Sequence, residues 1–443
     1  MMNKRNVQIN VEYLTRVEGH GNIVIDVKEG NLQTCRLDVV ESPRFFEGIL
    51  RGRSVFEAQH ITSRICGICA CGHTLASIQA AEDALGITPT AQTLKLRKLL
   101  LHLEFLDSHI LHIYLLVAPD LLGVKSFVPL IDTHGKVVRR ALRLKKTCND
   151  LCDILVGRHV HPISAVVGGF TKLPSEKDLE TMLNMLVGMR PDMEATVELI
   201  AALKFPEFER DTEYVGLVSD DGEYPLLTGD LASTDGVRKS KSEYRSITNE
   251  FTVPHSSAKH TKLSRESYAV GSLARFNLNY EKLHPKAKEL ARALGMQPKC
   301  INPYLNTAAQ LIESIHCLED AIAIVEGLQQ DGIAHDEVML VGLNEQGRIP
   351  VKAGNGVGAV EVPRGVLFHN YEIDGQGVIK NANCIIPTNQ NLNNIEHDME
   401  KLVPEILLKD DEQITLALEM LVRAYDPCIS CSTHFLDVRF VNR

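Results

Sequence analysis

Two segments near opposite ends of the chain decide its reading: Arg64-Ile65-Cys66-Gly67-Ile68-Cys69 and Asp426-Pro427-Cys428-Ile429-Ser430-Cys431. In each, the two-residue spacing lets a tight turn or a first helical turn carry both sulfurs to one side, where they converge on one metal. Four soft thiolates suit nickel, iron or zinc rather than magnesium or calcium. Cys69 and Cys428 stand 359 positions apart, whereas zinc ribbons set their pairs roughly 15–20 residues apart to staple a small local fold. The site must therefore be assembled by joining the two ends of the chain. Spacing alone leaves three readings open: a redox or catalytic metal, a structural zinc, or a dithiol couple.

Around these pairs lies a chain of 443 residues, 44% hydrophobic and 23% charged, which is enough apolar material for a large core and a poor match to disorder. Its 47 basic and 57 acidic residues leave a net charge of −10, so binding of nucleic acid is not expected. The 11 cysteines do not read as a disulfide scaffold in a chain this long. The N-terminus carries Lys4 and Arg5 but no apolar segment of a secretory signal. The most apolar long run, Leu94 to Ala118, is interrupted by Lys95, Arg97, Lys98, Glu104 and Asp107, so no direct membrane span is expected. The expected location is cytoplasmic, where thiols serve as ligands or redox groups.

Hydrophobic periodicity predicts an α+β protein. Val7, Ile9, Val11, then Ile23, Ile25, Val27, then Cys35, Leu37 and Val39 alternate, with turns at Gly19–Asn22 and Gly30-Asn31, as in a short antiparallel sheet. From about Ser54 to Leu203, and again from Arg265 to Gln330, the pattern is helical. Residues 205–264 are polar and are expected to form an irregular or small mixed insertion over the surface. Val338 to Ile386 is β-rich, and a last helix is expected over roughly Glu412 to Ala424. The expected architecture is a mostly helical central bundle with small β-sheet elements near both ends, a single integrated domain over 1–434.

The flanking residues carry a resemblance. Arg16-Val17-Glu18-Gly19-His20, Phe46-Glu47-Gly48-Ile49-Leu50-Arg51-Gly52-Arg53, the first cysteine pair followed by His73, Glu361 to His369, Asn383-Cys-Ile-Ile-Pro-Thr388 and the Asp426 to His434 ending occur in one order along nearly the whole chain. Together they closely resemble the large, catalytic subunit of nickel–iron hydrogenases, and look most like its cytoplasmic, cofactor-coupled branch. Complex I-related quinone-reductase subunits share that fold but generally lack the four cysteines, which this chain retains. A non-catalytic zinc-stabilised scaffold is the alternative from another class.

The resemblance implies a nickel–iron centre whose iron carries carbon monoxide and cyanide, with Cys66 and Cys428 as terminal nickel ligands and Cys69 and Cys431 as bridges. It implies reversible heterolytic cleavage of H₂. Glu18 would be the first proton relay, since a carboxylate in a dry site can cycle its protonation. Arg364 would face the metals, oriented by Asp107 and Asp426, and Thr388 would hydrogen-bond a cyanide. Glu47, His434 and the backbone carbonyl of Cys384 would hold Mg²⁺ (or Fe²⁺), an oxygen–nitrogen set suited to a hard or borderline ion. His73 and His109 match histidines near the centre. The implied partners are an iron–sulfur small subunit, further electron-transfer subunits, nickel chaperones and a maturation protease that removes 435–443 after His434.

Three features stand apart from that pattern. Cys71 is not a usual family residue and is expected to be a small buried thiol. Cys148 and Cys152 are spaced as neighbours on a helix and are expected to pack rather than ligate. Gly354-Asn355-Gly356-Val357-Gly358 invites a nucleotide reading, but the β-like Ala359-Val360-Glu361-Val362 follows where the dinucleotide fingerprint needs a helix. No further cysteine set has ferredoxin-like spacing, so electrons are expected to leave through another polypeptide.

Overall fold

The computed structural model describes residues 5–338 and 349–433. At its N-terminal end, strands β1 (Val7–Val11), β2 (Gly21–Lys28) and β3 (Asn31–Val39) form an antiparallel sheet in that order. Between β2 and β3, Glu29 and Gly30 both take positive φ (51° and 81°), the twist of a tight two-residue hairpin turn. The alternating burial of β2 follows the expected apolar alternation.

The centre is helical: α1 (Ala70–Leu85), α2 (Ala91–Leu111), α3 (Gly135–Val156), α4 (Glu176–Ala201), α5 (Ser272–Asn279) and α6 (Asn306–Asp331). α2 runs on through a wide turn, His112–Val117, into Ala118–Leu121. Contrary to the sequence expectation, the joined stretch Ala91–Leu121 is long and apolar enough to cross a bilayer, but it is mostly buried inside the protein. Its apolar character is that of a core helix.

Residues 205–264 contribute to a small mixed sheet, one of the two expected forms, but its middle strands are buried rather than laid over the surface. Strand β4 (Glu213–Val218) is buried almost throughout and pairs with β5 (Asp230–Ser233). These strands form the middle of a four-stranded sheet, flanked by Arg238–Lys239 and by Tyr268–Ala269. Val215, Leu217, Leu231, Tyr244 and Ile247 build a second core against Val357, Ala359, Val366 and Phe368. The segment is polar in composition because its loops are, while its short strands carry a compact apolar load.

Toward the C-terminus, β6 (Gly354–Val362), β7 (Gly365–Ile373) and β8 (Ile379–Ile385) form an antiparallel meander, followed by α7 (Pro387–Ile406) and α8 (Asp411–Ala424). The glycines of β6 find their reason here. A Cβ added to Gly354, Gly356 or Gly358 would lie 2.3, 2.2 or 2.0 Å from the backbone oxygens of Ala84, Ala80 and Ala76. The glycine run is a flat strand face on which the alanine ridge of α1 rests, not a phosphate cradle. The main hydrophobic core is continuous from Val7 to Cys431, so both chain ends share it.

Candidate metal centre

The two cysteine pairs meet in the interior. Cys66 sits in the loop ahead of α1 and Cys69 caps that helix, while Cys428 and Cys431 lie just beyond α8. All four are buried, none more than 4% exposed. Cys66 Sγ lies 3.4 Å from Cys428 Sγ, which lies 2.7 Å from Cys431 Sγ. The ligand atoms of Cys66, Cys428 and Cys431 fall within 4.8 Å of one another. Cys69 joins them through Arg364, whose Nη1 is 3.3 Å from its sulfur. The amides of Ile68 and Cys69 donate to Cys66 Sγ at 3.3 and 3.1 Å.

Arg44, which sequence reasoning passed over, ties the two ends together. Its guanidinium donates to Ile65 O at 2.7 Å and to Ser430 O, and its amide donates to Thr433 O. On the opposite edge, Glu18 forms a parallel bridge with Cys428, and Ile429 N donates to Glu18 O at 2.9 Å. That backbone pairing sets the Glu18 side chain, with Oε2 3.1 Å from Cys428 Sγ and 3.1 Å from Ser430 N. Ser430 Oγ donates to Glu41 Oε1 at 2.9 Å, and His20 Nδ1 lies 3.0 Å from the same oxygen. The His20 side chain is 62% exposed, so this polar file reaches the surface.

Arg364 stands in the turn between β6 and β7. Gly365 takes φ +135°, and a Cβ there would meet Val270 at 2.3 Å, so the turn requires glycine. Buried Arg275 holds the turn from behind by donating to Val362 O and Pro363 O at 3.0 and 2.9 Å. Its charge is balanced by Glu313 and Glu361. Arg364 Nε donates to Asp426 O at 2.6 Å and Nη2 to Asp426 Oδ1 at 2.8 Å. Asp426 has φ 51°, a left-handed residue held by these bonds and by Gln310 Nε2 at 3.3 Å.

Asp107 departs from its expected role. It pairs with Lys145, and the α2 residue that reaches Arg364 is Ser108, 3.4 Å from Nη1. Successive helical residues point about 100° apart, so adjacent positions face different neighbours. His73 Nδ1 lies 3.1 Å from His369 Nε2, and His109 Nε2 lies 2.8 Å from Glu313 Oε2. Thr388 Oγ1 accepts from Cys428 N at 2.9 Å, leaving its own proton free to donate elsewhere. Glu47, on the short helix Phe46–Leu50, accepts from Cys384 N at 2.8 Å and Asn383 Nδ2 at 3.1 Å. His434 and the 435–443 segment lie outside the described residues. Cys71 is buried, as are Cys148 and Cys152. Glu104, unforeseen, accepts from the amides of Cys71 and Gly72 at the start of α1; burial pushes its pKa up to about 8 against those donors.

The thiols cannot all ionise together. Cys66 is held well below the usual thiol range, first by S–H donation from Cys428 and then from Cys431 and Cys69. Cys69 is raised chiefly as a donor to Cys66, and Cys428 and Cys431 chiefly by burial. Arg364 alone cannot balance four buried thiolates, so this donor set fits soft or borderline metal cations that displace the thiol protons.

The model of the nickel-dependent hydrogenase family matches residues 44–132 and 229–434. The chain belongs to that family. A second model, described as HoxL-like, matches residues 8–42. The chain is 34% identical to the alpha subunit of sulfhydrogenase 1 of Pyrococcus furiosus, over 96% of its own length and 97% of that relative. It is 31% identical to a chain of the F420-non-reducing hydrogenase of Methanothermobacter thermautotrophicus, over 97% and 95% of the two lengths. An NAD⁺-reducing [NiFe]-hydrogenase in the H₂-reduced state superposes with a TM-score of 0.84 at 27% identity, over 97% of this chain and 99% of that one. A Dm. baculatum [NiFeSe]-hydrogenase shares the fold, with a TM-score of 0.75 at 23% identity over 97% and 100%. The protein is thus a hydrogenase catalytic subunit with the α+β large-subunit fold, and its reaction is oxidoreduction of H₂.

Proposed function

We propose that H₂ is cleaved between the Arg364 side and the Glu18 side of the four cysteines, with the proton leaving through Glu18. Cys66, Cys69, Cys428 and Cys431 would hold a nickel–iron centre, which would supply the Lewis acidity and the redox capacity. Arg364 holds a fixed positive charge over the cysteines; burial opposes that charge, but Asp426 and then the thiolates beside it keep it protonated. It therefore orients and stabilises, and does not act as the base. The single observation that carries the proton assignment is the 3.1 Å approach of Glu18 Oε2 to Cys428 Sγ. From there the way out runs beside Ser430, whose amide meets Glu18 at 3.1 Å and whose hydroxyl meets Glu41 at 2.9 Å, to His20, 3.0 Å from Glu41. Glu18→Gln is the test: nickel and iron content stays whole while H⁺/D⁺ exchange slows, and unchanged exchange removes Glu18 from the path.

The finer parts of the reading belong to the same proposal. Thr388, with one hydroxyl proton unspent on Cys428 N, is placed to donate to a cyanide on the iron, alongside carbon monoxide. Glu47, the Cys384 carbonyl and His434, the last outside the described residues, would hold a Mg²⁺ or Fe²⁺ ion, a reading supported by the burial of Glu47 beside Cys384. Tyr13, Val40, Phe45 and Ile49 are exposed apolar residues beside the segments that carry Glu18, Glu41 and Glu47. Such a face suits the iron–sulfur small subunit, through which electrons reach further electron-transfer subunits. The chain is taken as one integrated unit, supported by its continuous core, and as a member of the cytoplasmic, cofactor-coupled branch, supported by its likeness to the NAD⁺-reducing [NiFe]-hydrogenase. Nickel chaperones load it, and a protease then removes 435–443. An intact mass of nickel-loaded protein that still includes those residues would overturn the cleavage.

A further inference from the structure

A second group of metal-binding side chains lies apart from the cysteines. His255 and His260 belong to the loop after the short helix Tyr244–Thr248, and Glu396 projects from α7. Their ligand atoms all lie within 4.8 Å of one another. Glu396 is eight residues beyond Thr388 on α7, about 12 Å along the helix at 1.5 Å per residue. Nothing in hydrogen cleavage uses this cluster.

Its hydrogen bonding is incomplete in one respect. His255 Nε2 lies 2.8 Å from Glu396 Oε1, and that oxygen also accepts from Leu37 N at 2.9 Å. Glu396 Oε2 faces His260 Nδ1 at 3.9 Å, too far for a hydrogen bond. His260 is 1% exposed, yet among the described residues neither of its ring nitrogens has a well-formed hydrogen bond. Asn393 is the polar side chain beside it and opposes the fall in its pKa, while one of the two Asn393 amide protons is committed to Glu266 O. Burying an imidazole with so little well-formed hydrogen bonding is unfavourable, and native interiors avoid it unless another group completes the site. The ring is also rigidly held. His260 pairs backbone to backbone with Phe251 in both directions at 2.8 and 2.9 Å, and its ring packs edge-on to those of Phe251 and His255. Burial, followed by neighbouring His255, lowers its pKa to about 4, so it is a neutral imidazole with a lone pair to offer.

We infer that His255, His260 and Glu396 bind a divalent zinc ion. Two imidazoles and one carboxylate are a borderline donor set, which favours Zn²⁺ over Mg²⁺ or Ca²⁺. An ion with bonds of about 2.0–2.1 Å fits between ligand atoms at these separations after small side-chain adjustments. Leu37 N fixes the carboxylate from behind, as an outer-shell donor does. The His255 side chain, 20% exposed, leaves an entry path and room for water in the fourth position. The ion is a staple: it joins the loop and α7 beside β3, where Ser257 already donates to Val39 O and Glu41 O.

The test is elemental analysis of the nickel-loaded complex purified from zinc-supplemented growth, with zinc K-edge X-ray absorption on the same sample. The expected result is one zinc per chain beyond the nickel and iron, in a nitrogen–oxygen shell containing two imidazoles. His260→Ala and, separately, Glu396→Gln lose that zinc and keep the nickel. Absence of the extra zinc from the wild type, a sulfur shell around it, or a zinc retained in both variants overturns the inference. Because the absorption measurement uses unmodified enzyme, a variant that fails to fold leaves the decision intact.

Discussion

The two flanks of the cysteine cluster are built on opposite plans. On one, Arg364 is 3% exposed and all its bonds are short-range and fixed: two to Asp426, one to Ser108, one to Cys69. On the other, Glu18 is only partly buried and stands at the inner end of a file that ends at exposed His20. A charge that must stay is walled in and held from behind by Arg275; a proton that must leave is given a carboxylate and a way out. The same thiolates thus see a static field from one side and an exchangeable proton from the other.

Removing the cluster between the flanks should have the largest effect. Cys428→Ser replaces a soft thiolate with a weaker, protonated donor, and nickel retention and H₂ activity should both fall to background, read by elemental analysis and an H₂-uptake assay. Next comes the static flank. Arg364→Lys keeps a positive charge but cannot span Asp426 O and Oδ1 together as the planar fork does. Turnover should fall by about 10²–10³ with the metals in place. Full activity in that variant would mean that charge alone, without fixed geometry, suffices. The exchange flank follows: Glu18→Gln should slow H⁺/D⁺ exchange by about 10² while metal content is unchanged.

How far these flanks were legible in the sequence differs for the same reason that they differ in structure. Glu18, Arg364, Asp426 and the cysteines sit inside contiguous motifs, so their chemistry is readable from their neighbours. Asp107 belongs to such a motif too, but a helix turns by about 100° per residue. Sequence placed the right turn of α2 at the site and the wrong side of it, since Ser108 faces Arg364 while Asp107 faces Lys145. Glu41 and Arg44 are single polar residues outside the motifs, and their contacts with Ser430 span 389 and 386 positions, so nothing local marks them. The buried strand Glu213–Val218 was hidden by averaging: five of its residues are fully buried, inside a long stretch dominated by charged loops. Strand β2 and helix α3, by contrast, follow from periodicity because each buries one regular face.

The smallest expected effect is the one that sharpens the contrast most. Glu41 touches no cysteine; its carboxylate joins Ser430 Oγ to His20 and accepts the His20 amide at 3.0 Å. Glu41→Gln keeps the size and an acceptor oxygen but cannot take up a proton. Exchange should slow by less than about tenfold, because solvent near the surface supplies routes parallel to Glu41. Metal content and the Arg364-dependent turnover step should not change. A deficit as large as that of Glu18→Gln would show a single obligatory file through Glu41. No deficit at all, with Glu18→Gln still impaired, would send the proton from Glu18 to solvent by another way and leave Ser430–Glu41–His20 as a structural tie between β3 and the second cysteine pair.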